Sequence, residues 1–307
     1  MKRTTCCLIA LCLTICFVLP VLAADEGVKG EVDWVNGVVI GYGYGTAEAS
    51  NNIAQAKALS MRAARIDALR NILETVKGVN IDSRTLVSDF MVKKDIIVTR
   101  VDGVIKGARM VNQHVEWIEG SPLATVEMRL CLSAHASECL PGRSLVSALN
   151  LAEYKDSKDI PKQTFAGPVE PPKSESPAKK EPGELACSFD SSKPVSGIVL
   201  SLQGYYYKRV VLPVVAADKD GELQTIYSVN QVEPRIIRTY GIVRYSDTLG
   251  QALKVAELGD NIMIVPVKKV NEENMIIISE ENASKIYETT RHGNDYLSKA
   301  GVVVCSE

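Results

Sequence analysis

Histidine is scarce in this chain, with three in 307 residues: His114, His135 and His292. None has a metal partner at i+4 and none stands in a nucleophile motif, so the sequence supports no histidine-based metal centre or catalytic base. The G-x-S-x-G, H-E-x-x-H, P-loop and EF-hand patterns are absent, which removes the enzyme and cation-binding classes that depend on them. Charge of one sign is also missing. Lys and Arg total 35 against 37 Asp and Glu, a formal net charge of −2, so no global basic field recruits nucleic acid. Beyond the N-terminus no apolar run approaches the ~20 residues that span a bilayer. Catalytic, cofactor-binding and metal-ligating residues are therefore read as none.

What is present begins with a targeting segment. Lys2 and Arg3 precede an apolar run from Cys6 to Val18, and Val21-Leu22-Ala23 before Ala24 forms an A-x-A-like cleavage site. Residues 1–24 are read as a signal peptide. Of the 8 cysteines, Cys6, Cys7, Cys12 and Cys16 leave with it. Leu11 precedes Cys12 and Ile15 precedes Cys16, whereas lipid anchoring needs a small residue before the acylated Cys, so the expectation is a soluble exported protein. Cys131, Cys139, Cys187 and Cys305 remain. An even number in an oxidising compartment points to disulfides with three possible connectivities. The preferred pairing is Cys131–Cys139, close in sequence, and Cys187–Cys305, tying the start of the second domain to its last strand. Free buried thiols are the competing reading.

Composition divides the rest. Residues 25–151 read as one α+β domain, 152–186 as a linker, and 187–307 as a second α+β domain. Each domain is expected to hold a mainly antiparallel sheet packed with helices. The linker contains Pro161, Pro168, Pro171, Pro172, Pro177 and Pro182, six of the chain's 13 prolines, among Lys, Ser and Glu. It lacks the apolar surface that offsets ordering entropy.

Asn51 to Gly78 is the longest helix the sequence offers, rich in Ala, Leu, Arg, Lys and Glu. Ile53, Ala56, Leu59, Ala63, Ile66, Leu69, Leu73 and Val76 recur at helical steps and predict its buried stripe. Asn51 or Asn52 caps the start, and Gly78 suits a left-handed stop. Arg62, Arg65 and Arg70, interleaved with Asp67 and Glu74, read as a solvated ion-paired face. Before this helix, Gly41-Tyr42-Gly43-Tyr44-Gly45 has the spacing G-x-G-x-G and not G-x-G-x-x-G, so it reads as a twisted strand and not a nucleotide fingerprint. Ile96 to Ile105 repeats at helical spacing, with a strand as the alternative. A hairpin turns at Glu119 to Pro122. In the second domain the hairpin turns are Asp218 to Gly221 and Asn271 to Asn274. Helices are expected over Leu249 to Leu258 and after Ser279, and Pro266 implies an edge strand or a bulge. Glu280-Glu281 reads as a dipole-matched helix start. Tyr205-Tyr206-Tyr207 reads as a surface strand with mixed facing.

One order of features carries a family resemblance over Val32 to Leu132. The Gly-rich step at Gly41 to Gly45 is followed by Ala63-Ala64-Arg65 and by Asp67-Ala68-Leu69-Arg70-Asn71-Ile72-Leu73. Lys77-Gly78-Val79, Ile81, Val101-Asp102-Gly103, Lys106-Gly107-Ala108 and a closing hairpin come next. This resembles the Lpp-twenty (LPP20) type envelope lipoproteins and is similar to the amino-terminal domain of flagellar assembly protein T. The resemblance implies helices on a small sheet, an envelope location and no known enzymatic activity. The chain departs from the lipoprotein pattern in lacking the acylated Cys. The resulting expectation is a non-enzymatic exported protein of a diderm bacterium, periplasmic or outer-membrane-associated. It would act by binding envelope proteins, with flagellar basal-body or outer-membrane components as partners, no nucleic acid, and no transmembrane segment after signal cleavage. The alternative is an exported enzyme or small-ligand binder with its site in the C-terminal domain.

Overall fold

A computed structural model describes residues 29–135, 138–156, 186–219, 222–255, 258–291 and 294–307. The signal-peptide reading, residues 157–185 of the linker reading, His292, and Asp220 and Gly221 of one predicted turn lie outside the described residues.

The chain opens with a hairpin of β1 (Gly30–Asp33) and β2 (Val38–Thr46), turning at Asn36-Gly37, with Gly37 at φ +66°. Helix α1 (Ile53–Lys77) follows; the Asn52 side chain accepts from the Gln55 N–H at 3.0 Å, as its capping role predicts. Gly78 ends the helix at φ −81°, not in the left-handed conformation expected of it. A short α2 (Val87–Lys93), which the periodicity did not reveal, leads into α3 (Asp95–Lys106). The helical reading of Ile96 to Ile105 is the correct one: Ile97, Val101 and Ile105 form its buried stripe. The hairpin of β3 (Arg109–Ile118) and β4 (Ser121–Cys131) turns tightly on Glu119-Gly120, both at positive φ. The first sheet is antiparallel throughout, in the order β1-β2-β4-β3. Helix α4 (Leu145–Leu149), capped by Ser144, closes this part.

The second sheet is built from β5 (Gly197–Ser201), β6 (Val215–Lys219), β7 (Glu222–Tyr227), β8 (Arg244–Ser246), β9 (Ile262–Val270), β10 (Ile276–Ile278) and β11 (Val302–Cys305). Its order is β7-β6-β10-β9-β5-β11-β8. The molecule is α+β, but this sheet is mixed and not mainly antiparallel. The pairs β5–β9, β5–β11, β8–β11 and β6–β10 run parallel, and only β6–β7 and β9–β10 are antiparallel. Helical crossovers cause this. They include α5 (Pro234–Tyr240), α6 (Leu249–Ala252) and α7 (Glu280–Arg291). α5 was not anticipated, and α6 is much shorter than the predicted helix. Ser279 caps α7 by accepting from the Asn282 N–H at 3.2 Å. Pro266 lies in an interior strand, opposite Ser201 of β5 and beyond the last β9–β10 pair, Val267 with Ile278; the β9–β10 register does slip, but at Lys268, two residues further on.

The two sheets share one apolar core. Val79, Ile81, Leu145 and Leu149 from the first part pack in the same cluster as Val210, Leu212, Ile237 and Ile242. Backbone bonds cross between them: the Val211 and Leu212 N–H groups donate to the Asn80 and Ile81 carbonyls at 2.9 and 2.7 Å. The Ser147 hydroxyl donates to the Arg238 carbonyl at 2.7 Å.

Candidate functional site

The glycine run is a packing device. A Cβ at Gly43 would lie 2.2 Å from the Ala64 carbonyl oxygen, and one at Gly45 would lie 2.2 Å from the Ala64 nitrogen. Only a strand without side chains on that face lets α1 approach so closely. The helix answers with its own small face: Ala56, Ser60, Ala64 and Ala68 are buried, with Asn71, Ile72 and Val76 further along. Asn71 donates to the Tyr42 carbonyl at 2.6 Å, and Asp67 accepts from the Tyr44 N–H at 3.0 Å.

The stripe predicted for α1 is therefore only partly buried. Ala56 and Val76 face inward, but Ile53, Leu59 and Ile66 are 63%, 51% and 59% exposed. Leu59, Arg62, Ile66, Arg70, Leu73 and Lys77 follow one another at three- and four-residue steps along the outer face, and only Leu73 is half-buried. Arg70 pairs with Glu74 at 3.4 Å, as the ion-paired reading expects. The stripe itself alternates apolar and basic residues without an acidic one.

Among the cysteines, Cys131 and Cys139 are joined, with Cα atoms 5.8 Å apart. The bridge packs on Val38, Ile40 and Tyr42, over the sheet face opposite α1. Burial, and then Glu31, push the Tyr42 hydroxyl above its ordinary pKa. Cys187 and Cys305 are free, which corrects the expected second bridge. Side-chain alternation along β11 explains it. Val302 and Val304 point into the main core that Cys187 joins, while Val303 and Cys305 point to the opposite face, against Val199, Ala252 and Leu258. A sheet separates the two thiols. Burial raises the pKa of both.

A cavity of about 50 Å³ opens where the two parts meet, lined by Trp34, Leu132, His135, Tyr240, Arg244 and Tyr245 among others. The Arg244 Nε–H donates to His135 Nδ1 at 2.9 Å, and the His135 ring stacks on Tyr240 at 5.3 Å. Trp34 meets Tyr245 edge-on at 5.4 Å. The Tyr245 hydroxyl donates to the Val210 carbonyl at 2.7 Å, and burial pushes its pKa up to about 12. The space admits a few waters, roughly 10–15 Å³ each, and no metabolite. Its polar groups join the two parts of the fold. Sequence reasoning missed this seam because its members come from segments about a hundred residues apart, such as His135 and Arg244. His114 lies exposed on β3, away from it. Tyr205 to Tyr207 is a loop and not a strand: Tyr206 is exposed, and Tyr207 turns inward against Tyr245. Among the described residues no group of His, Cys, Asp and Glu is placed to hold a metal ion, and no helix is long and apolar enough to cross a membrane.

Two family models match the chain. The model described as LPP20 lipoprotein covers residues 41–127, within the stretch that carried the resemblance. The model described as Treponema pallidum Tp0624, second domain, covers residues 197–307, from β5 to the C-terminus. No curated protein matches the chain. Neither matching description is that of an enzyme. The LPP20 match begins at Gly41 and takes in the rest of β2, then α1, α2, α3, β3 and most of β4, so the glycine ladder and the small-residue helix face both lie inside it. Residues 41–127 of this chain are therefore similar to the LPP20 lipoproteins, and residues 197–307 to the second domain of Treponema pallidum Tp0624.

Proposed function

We propose that this is a non-enzymatic exported envelope protein that acts by binding other proteins, in the assembly of a flagellar or outer-membrane structure. The domain limits, 25–151 and 187–307, belong to this reading. The observation that carries it is the outer face of α1. A folded chain that buries its helix through alanines and leaves Leu59 and Ile66 in solvent presents a surface for a partner. Arg62, Arg70 and Lys77 along the same stripe fit a partner that is apolar at its centre and acidic at its rim. The LPP20 lipoprotein match supports an envelope setting.

The test is crosslinking in the cell, followed by fractionation and mass spectrometry of the joined proteins. The intact chain is expected with flagellar basal-body or outer-membrane components. Leu59→Glu/Ile66→Glu is expected to lose them while keeping the melting temperature. Recovery of the intact chain as an uncrosslinked periplasmic monomer would overturn the reading.

A further inference from the structure

A sheet edge exposes unpaired N–H and C=O groups, and folded proteins guard such edges by shortening, charging or covering them. Three of the four edges here are shorter. β1 has four residues and carries Glu31 and Asp33, β8 has three, and β7 has six, with Glu222 at its start. The fourth, β3, is different. It runs for ten residues, all exposed except the half-buried Val115, and contains neither Pro nor Lys. Its one irregularity lies between Met110 and Asn112, leaving Asn112–Ile118 as a regular edge. Among the described residues this stretch bonds to β4 alone. Trp117 and Ile118 stand 42% and 49% exposed at its end.

The pattern along this edge is self-complementary. Gln113, Val115 and Trp117 pair with Val126, Ala124 and Pro122, so they share the face that α1 covers over β2. Asn112, His114, Glu116 and Ile118 lie on the other face, opposite Glu127, Thr125, Leu123 and Ser121. Two copies of β3 meeting antiparallel about a two-fold axis keep each face on its own side, so one residue must pair with its own twin across the axis. An axis on His114 sets imidazole against imidazole, and one on Glu116 sets carboxylate against carboxylate. An axis on Val115 stacks Val115 on its twin, aligns Gln113 with Trp117, and places the N–H donor of each His114 opposite the carboxylate of the other copy's Glu116. We propose that the β3 edge is the docking site for a second copy of this chain, joined antiparallel about Val115 into one continuous sheet. The proposal uses a surface separate from the outer face of α1, so it stands or falls independently of the function proposed above.

The test is sedimentation velocity of the chain from residue 25 over a concentration series. A monomer–dimer equilibrium is expected. His114→Glu and Glu116→Lys should each weaken it, on the order of tenfold, the first by setting carboxylate against carboxylate and the second by removing the acceptor that faces the His114 N–H. The double variant His114→Glu/Glu116→Lys should restore the dimer, because a carboxylate and an ammonium then face each other. All three variants are checked for unchanged circular dichroism and melting temperature. Val115→Cys should yield a disulfide-linked dimer with mass spectrometry placing the bond at 115–115. A monomer at every concentration, a dimer indifferent to these charges, or a Val115→Cys chain that does not join at 115 would overturn the proposal.

Discussion

Single residues carry the packing of the first sheet. Gly43→Ala or Gly45→Ala would drive a methyl group into the α1 backbone, where the space is about 2.2 Å. A loss of about 1–3 kcal/mol or more is expected, read as a lower denaturation midpoint. The thiols give a second residue-level expectation. Denatured, unreduced mature protein should take up two alkyl groups, at Cys187 and Cys305, because Cys131 and Cys139 are bonded. In the folded protein burial holds both thiols above their ordinary pKa, so alkylation should be slow near neutrality and accelerate as pH rises beyond about 9. The sign for stability follows. Above the ordinary thiol value the unfolded chain ionises first, so the folded state loses stability as the solution becomes more alkaline. Uptake of iodoacetamide against pH, followed by peptide mapping, checks both statements.

At the scale of elements, α1 shows how far periodicity reads. Its start at Asn52 and its end at Lys77 are legible from capping chemistry and Gly78. Its buried face is not, because the periodic rule follows the large apolar residues. Three glycines on β2 make close approach possible only for small ones, and alanine wins over leucine. The consequence is measurable. Leu59→Ser and Ile66→Ser should change stability by no more than about 0.5 kcal/mol, whereas Ile72→Ala, fully buried in the same helix, should cost about 2–5 kcal/mol. Urea titrations of the three variants distinguish the two faces. The C-terminal elements teach the complementary lesson. β9, β10, α7 and β11 were legible from short apolar runs, from the turn at Asn271 to Asn274 and from the Ser279 cap. α5 was not, since Pro234–Tyr240 is only seven residues with Ile237 as its buried side chain, too little for a periodic signal.

At the scale of the molecule, the shared core couples the two sheets. Trp34 sits at the seam against Tyr245, while Trp117 is the exposed tryptophan of β3. In a Trp117→Phe chain the remaining indole reports the seam alone. Its fluorescence and the far-ultraviolet circular dichroism are expected to change in one coincident urea transition, and two separated transitions would show that the sheets unfold independently. The sequence by itself determined the α+β class, the first antiparallel sheet, the long helix and the LPP20 resemblance, and it favoured the Cys131–Cys139 bridge, because each rests on residues close in the chain or on a local pattern. Tertiary structure alone decided which face of α1 is buried, the parallel pairings of the second sheet, the separation of Cys187 from Cys305, and the seam of His135 with Arg244. Those outcomes depend on which distant surfaces meet, and local periodicity carries no record of the partner.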